Sequence, residues 1–222
     1  RINCKRICMH AIILAAVFGS RLTPMTLNKP KPLLEIRGKS ILENMISILR
    51  KGGVQDIIVV TGYKNHLFDS LSKKLHFEKV VFHDYATCNS SQSLLYVKHR
   101  IQKGTIILNG DLYITEDFCR FFKSGVSQFL SQKIPDNTTA WGYIVDENYR
   151  ILDIDTNATS GYGDGIAYFD NTQDIEVFKE MIHSLFFEGD DFVAKNLGLY
   201  PYQTKVNNKS ADRLAGFLLD VF

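Results

Sequence analysis

Apolar residues come in short blocks along the first half of the chain, separated by segments with helical spacing. Residues 11–17 (AIILAAV), 56–61 (DIIVVT), 79–83 (KVVFH) and 105–109 (TIILN) have strand length and carry apolar side chains at successive positions. A strand with one wet face would alternate instead, so these runs predict strands covered on both faces. Between them, 40–51, 65–75 and 90–101 read as helices. In the first, Ile41, Met45, Ile48 and Leu49 share a face; Ser40 and Glu43 form a capping box, and Gly52-Gly53 stops the helix. In the second, Leu67, Leu71 and Leu75 stand in register.

Apolar strands alternating with helices imply an open, doubly wound, mostly parallel α/β sheet. Ligands then sit at the carboxyl ends of the strands. The second half is less regular. Residues 139–145 and 149–155 read as an antiparallel pair turning at Asp146-Glu147-Asn148, 165–169 as a strand, 174–187 as a helix, 202–206 as a short strand and 211–221 as a closing helix. No linker or repeat interrupts the chain. The expectation is one domain over 1–222, with a nucleotide-binding half (1–115) and a small antiparallel acceptor-side half (116–222).

Composition narrows the class. The chain has 222 residues, 45% of them hydrophobic, which is enough for a sizeable core. A net charge of +2 with dispersed basic residues argues against a nucleic-acid or membrane surface. The apolar run 11–18 is too short to span a bilayer, and too short for a signal peptide despite Arg1, Lys5 and Arg6 before it. Cys4, Cys8, Cys88 and Cys119 lack metal-ligand spacing, as do the six histidines, so the cysteines read as reduced thiols of a cytoplasmic protein.

The chemistry gathers after two strands. The first strand runs into Val17-Phe18-Gly19-Ser20-Arg21, and Lys29-Pro30-Lys31-Pro32 follows. A glycine-bearing loop after a strand can turn its amide N–H groups onto a triphosphate, with Arg21 adding a bidentate contact and a lysine neutralising charge. Composition alone favours a tight turn with solvated cations, because short glycine motifs recur by chance. The spacing is neither that of a P-loop nor of a dinucleotide-binding loop.

The segment IILAAVFGSRLTPMTLNKPKPLLEI resembles the N-terminal signature of the sugar-phosphate and choline-phosphate nucleotidyltransferases, LAAGxGxR followed by PK. IIVVTGY (57–63), DYATCNSSQSLLYV (84–97) and ILNGD (107–111) continue the resemblance, which is strong to about residue 115 and closest to the small bacterial choline-phosphate cytidylyltransferases. It implies a Rossmann-like, glycosyltransferase-A-like sheet. It also implies an enzyme that joins a nucleoside triphosphate, with CTP favoured, to a small phosphorylated alcohol such as phosphocholine and releases pyrophosphate.

The resemblance assigns roles. Ala15, Ala16, Gly19, Ser20 and Arg21 would cradle the nucleotide, and Lys31 would contact the α-phosphate. Gly62 and Tyr63 would lie near the base, Asn89 and Ser93 near base and ribose, and Asp111 would hold Mg2+. Lys31, Arg21 and Asp111 are the expected catalytic groups. Neither membrane insertion nor nucleic acid is implied, and a homodimer is compatible with the pattern.

Three positions depart from it. Val17 replaces a glycine of the signature. Asn207 stands where a second metal aspartate is expected, with Asp212 as a substitute. On the acceptor side, Phe186, Phe187, Glu188, Asp190, Asp191 and Phe192 would suit a quaternary ammonium, but fit a core-facing pair and a solvated turn as well. Trp141 and Tyr168 read as core. The alternatives are a sugar-1-phosphate nucleotidyltransferase and a nucleotide-binding module that has lost turnover.

Overall fold

The computed structural model describes residues 8–16, 18–19, 22–86, 90–134, 140–147 and 151–187. Its centre is β1 (His10–Ala15), whose six residues are all buried. On one side β1 pairs in parallel with β4 (Asp56–Thr61), and β4 with β5 (Glu78–Val81). On the other side it pairs in parallel with β6 (Thr105–Asn109). These four strands correspond to the apolar runs of the sequence; β1, β4 and β6 are buried along nearly their whole length, whereas β5, at the edge of the sheet, is half-buried with Glu78 exposed.

The coverage follows from alternation along β1. Ala11, Ile13 and Ala15 face one core, shared with Leu42, Met45, Ile46 and Leu49 of helix α1 (Ile41–Lys51). Ile12 and Leu14 face a second core, shared with Leu94 of α3 (Ser90–Tyr96) and Ile175, Phe178 and Ile182 of α4 (Thr172–Phe187). Burying each isoleucine, leucine, methionine or phenylalanine among them contributes about 1.5–3 kcal/mol, so β1 is held from both sides.

The capping box of α1 forms as the sequence implies. Ser40 Oγ accepts from the Glu43 N–H at 3.1 Å, and the Glu43 carboxylate accepts from the Ser40 N–H at 3.0 Å. Gly53, with φ +93°, takes the left-handed turn after the helix. A two-stranded hairpin that the sequence reading did not anticipate delivers Ser40 to this position. β2 (Glu35–Ile36) and β3 (Lys39–Ser40) turn through Arg37 and Gly38, both at positive φ.

Three expected elements are shorter than read. Residues 65–68 form a 3-10 turn, and only Asp69–Leu75 is α-helical (α2). The tighter turn rotates the face, so Phe68 is buried and Leu67 points to solvent. The third strand ends at Val81, and His83–Ala86 is a 3-10 turn. The third helix ends at Tyr96, followed by a 3-10 turn over Lys98–Arg100.

The antiparallel part joins at β6. β10 (Tyr162–Phe169) pairs antiparallel with β6 through Ile166–Phe169 and, on its other edge, with β7 (Gln128–Lys133). β7 was not expected, because QFLSQK carries no long apolar run. The start of β10 pairs with β8 (Ala140–Val145), and β8 with β9 (Ile151–Ala158), close to the expected antiparallel pair. The expected elements at 202–206 and 211–221 lie outside the described residues.

Candidate active site

The sheet order β5-β4-β1-β6 makes β1 the switch point: the chain moves outward through β4 and β5, then returns to the opposite side of β1 as β6. Such a reversal opens a crevice at the carboxyl ends of the two central strands, where the loops leave in different directions. Leaving β1 are Ala15, Ala16, Phe18 and Gly19; leaving β6 are Gly110 and Asp111.

Gly110 brings the two exits together. Its N–H donates to the Leu14 carbonyl at 2.7 Å. A Cβ at Gly110 would stand 2.8 Å from that oxygen and 2.9 Å from the Ala15 Cβ, closer than carbon tolerates. Asp111 therefore leaves the sheet directly beside the end of β1.

Gly19 does the corresponding work on β1. Its φ of +73° suits glycine, and a Cβ there would lie 3.2 Å from the Lys31 Cβ. The Lys31 stem thus passes over Gly19. The Gly19 carbonyl accepts from the Leu22 N–H and from the hydroxyl of buried Thr26, each at 3.1 Å, which folds the loop back on itself. Pro30 and Pro32 flank Lys31 in a short 3-10 turn, Lys31–Leu33, and restrict the backbone there.

These constraints set Lys31 Nζ 2.6 Å from Asp111 Oδ2, between residues 80 apart in sequence. The two side chains remain 29% and 38% exposed. An ion pair that open to water contributes only about 0.2–1 kcal/mol to stability. It does leave a cation and a carboxylate side by side and within reach of solvent, between the ends of two parallel strands.

Gly62 and Tyr63 follow β4 on the other flank. A Cβ at Gly62 would stand 2.6 Å from the Tyr85 Cβ and 2.8 Å from the Ala16 carbonyl oxygen, so this glycine is required by close approach. The Tyr63 N–H donates to that Ala16 carbonyl at 3.0 Å. Its ring stands edge-on to Phe18, with centroids 4.6 Å apart, and 6.2 Å from the ring of Tyr85. Its hydroxyl donates to the Leu27 carbonyl at 2.7 Å.

Among the expected site residues, Ala15, Ala16, Gly19, Lys31, Gly62, Tyr63 and Asp111 thus gather around the carboxyl ends of β1, β4 and β6. Ser93 lies on α3 and is 1% exposed. Arg21, Ser20, Asn89 and Asn207 lie outside the described residues, as do Val17, Asp212 and residues 188–192. Tyr168 is fully buried and stacks on Phe122 at 4.2 Å, so it belongs to the core. Sequence reasoning passed over Gly110, Thr26 and Tyr85 as site-building residues. Only Gly110 left a signal, its place between the strand TIILN and Asp111.

Comparison with known proteins identifies the family. Residues 10–180 match the family model described as nucleotidyl transferase, so the chain belongs to the nucleotidyl transferase family and is an enzyme of that type. It is 34% identical over 166 residues to a choline-phosphate cytidylyltransferase of Streptococcus pneumoniae, covering 73% of this chain and 70% of that one. It is 28% identical over 182 residues to a 2-aminoethylphosphonate cytidylyltransferase of Lancefieldella rimae, covering 81% and 74%. The solved structure of the CTP:phosphocholine cytidylyltransferase from Streptococcus pneumoniae superposes with a TM-score of 0.73 at 27% identity over 87% of both chains. No helix among the described residues is long and apolar enough to cross a membrane.

Proposed function

We propose that this nucleotidyltransferase is a cytidylyltransferase that couples CTP to a phosphorylated alcohol bearing a cationic amine, with phosphocholine as the favoured acceptor. The observation that carries the proposal is the Lys31–Asp111 pair at the switch point between β1 and β6. Two of the relatives described above carry names that specify amine-bearing acceptors, which favours this class over a sugar phosphate.

In the reaction, a phosphate oxygen of the acceptor attacks the α-phosphorus of CTP. The new P–O bond forms as the bond to the β-phosphate oxygen breaks, and pyrophosphate leaves. Two anions must approach each other, so positioning and charge neutralisation carry the catalysis and no protein nucleophile is needed. Lys31 would trade its contact with Asp111 for the α-phosphate and stabilise its developing charge. Gly19 turns the loop whose amides, with Ser20 and Arg21, would hold the β- and γ-phosphates. Gly62 would lie near the base, with Asn89 and Ser93 near the base and ribose.

The donor set suits magnesium. Among the described residues no group of three or more His, Cys, Asp or Glu could form a protein-only metal cage. Asp111 offers one accessible carboxylate, and Mg2+ characteristically takes one or two carboxylates together with substrate phosphate oxygens. Asp111 would hold the ion, with Asn207 as the second protein ligand, and the ion would supply charge neutralisation to the triphosphate.

The test is pyrophosphate release from CTP, UTP, dTTP and ATP, each offered phosphocholine, 2-aminoethylphosphonate and glucose-1-phosphate. The expected result is turnover with CTP and an amine-bearing acceptor. Turnover with glucose-1-phosphate alone would overturn the acceptor assignment. CTP binding without turnover on any acceptor would identify a module that has lost catalysis.

A further inference from the structure

We infer that Tyr63 is a positioning residue for the phosphate loop, holding it shut over Gly19 through its hydroxyl, and that it acts on the triphosphate and not on the base. The inference rests on the reading of the site as a nucleoside triphosphate site.

Tyr63 is attached at three points, on both sides of Gly19. Its N–H is fixed to Ala16 at the end of β1, its ring packs against Phe18, and its hydroxyl reaches the Leu27 carbonyl across 36 residues of sequence. Within the loop Thr26 is buried and donates to the Gly19 carbonyl, but the large apolar side chains are not buried. Leu22, Met25 and Leu27 are 36%, 63% and 49% exposed.

Its backbone hydrogen bonds are local: Leu22 to Gly19, Met25 to Leu22 and Leu27 to Pro24. Among the described residues, these bonds join the loop to itself. The Tyr63 hydroxyl fastens the shaped loop to the end of β4, four residues before Lys31. Its single proton is already donated to Leu27, so it is not free to donate to a base. Released at that point, the loop would carry Gly19 and Lys31 through a wider range of positions, and the phosphates would lose a preformed cradle.

Tyr63→Phe removes the hydroxyl and keeps the ring against Phe18. Two measurements on the whole chain test the inference. The first is calorimetric binding of CTP and of CMP, each with magnesium. The expected result is a loss of about three- to tenfold in CTP affinity, the effect of one hydrogen bond, with CMP affinity changed less than twofold.

Equal losses for CTP and CMP would make Tyr63 a base contact and overturn the inference, as would no loss for either. The second is amide hydrogen exchange over residues 22–31 in the ligand-free protein, expected to quicken several-fold in the variant. Unchanged exchange overturns the tether whatever the nucleotide data show. If the wild-type chain binds no CTP but the variant still exchanges faster, the tether stands and the nucleotide assignment fails.

Discussion

The two ends of β1 and β6 are built from the same kinds of residues and do opposite things. At the amino ends, polar groups are enclosed. Thr105 Oγ is buried against the His10 ring, accepts from the Gln102 N–H at 2.8 Å and donates to the Gln102 carbonyl at 2.6 Å. The His10 and Gly104 backbones close the gap, and Gly104 donates on to Phe169. At the carboxyl ends, Lys31 and Asp111 face each other with about a third of each side chain open to water. Polar groups at the closed end stabilise the fold, because losing a buried partner is costly. Those at the open end contribute little to folding and are available to a ligand. The difference comes from the parallel topology, which sends every βα connection out at the same end.

The comparison is broken most sharply by Asp111→Ala and Lys31→Ala. Each is expected to lower turnover by about a hundredfold or more, in line with loss of one electrostatic contact to a reacting phosphate. Denaturant unfolding should shift by no more than about 1 kcal/mol. A large loss of stability with either substitution would mean that the pair is structural. Gly110→Ala joins the two effects. The added methyl must push β6 from β1 and carry Asp111 with it, so turnover should fall about tenfold or more and stability by about 1–3 kcal/mol. Near-normal values of both would show that the two strand exits need not touch.

At the closed end, Thr105→Val should cost about 1–3 kcal/mol of stability with kcat unaltered, because the Gln102 N–H loses its partner. His10 adds a pH signature. Burial lowers its pKa below the usual 6.5, against a smaller opposing influence from Asp56. The unfolded chain therefore binds the proton more readily, and stability should fall as pH drops below 6.5. Replacing His10 with Gln should flatten that slope, and an unchanged slope would assign it to other groups.

The smallest effect is expected at Glu43, whose hydrogen bonds with Lys74 and with the Ser40 N–H bring its pKa down to about 2. Because the folded value lies below the unfolded one, its contribution is present above about pH 4.5 and lost as pH falls toward 2. Glu43→Gln should cost about 1 kcal/mol at neutral pH, and the gap to wild type should close over that acid range.

Legibility followed burial. The runs at 11–17, 56–61 and 105–109 announced their strands because a strand covered on both faces has no polar alternation to blur it. The strand β7, QFLSQK, hides because its alternating polar residues read equally well as loop, and pairing with β10 decides the matter. Leu67 misled because a 3-10 turn over 65–68 rotates the face that a regular helix would present.

The candidate site residues Gly19, Lys31, Gly62 and Asp111 were named through the resemblance, and they gather at the carboxyl ends of the strands. That Lys31 and Asp111 would face one phosphate was expected; their direct ion pair was not, since it depends on how closely β1 and β6 bring the two loops together. Tyr85 went unnoticed as a site-building residue because its contribution is a distance to the loop after β4, which no local pattern records; Gly110 left only its place between TIILN and Asp111.

The proposed site at the β1/β6 switch point would hold a triphosphate between a lysine and a carboxylate that brings in a divalent ion. Calorimetric titration of CTP into wild type and Asp111→Asn, with and without magnesium, tests it most directly. Wild type should bind CTP far more tightly with magnesium than without, and the variant should lose most of that difference. If the variant retains the full magnesium dependence, Asp111 does not hold the ion and the assignment of the site is wrong.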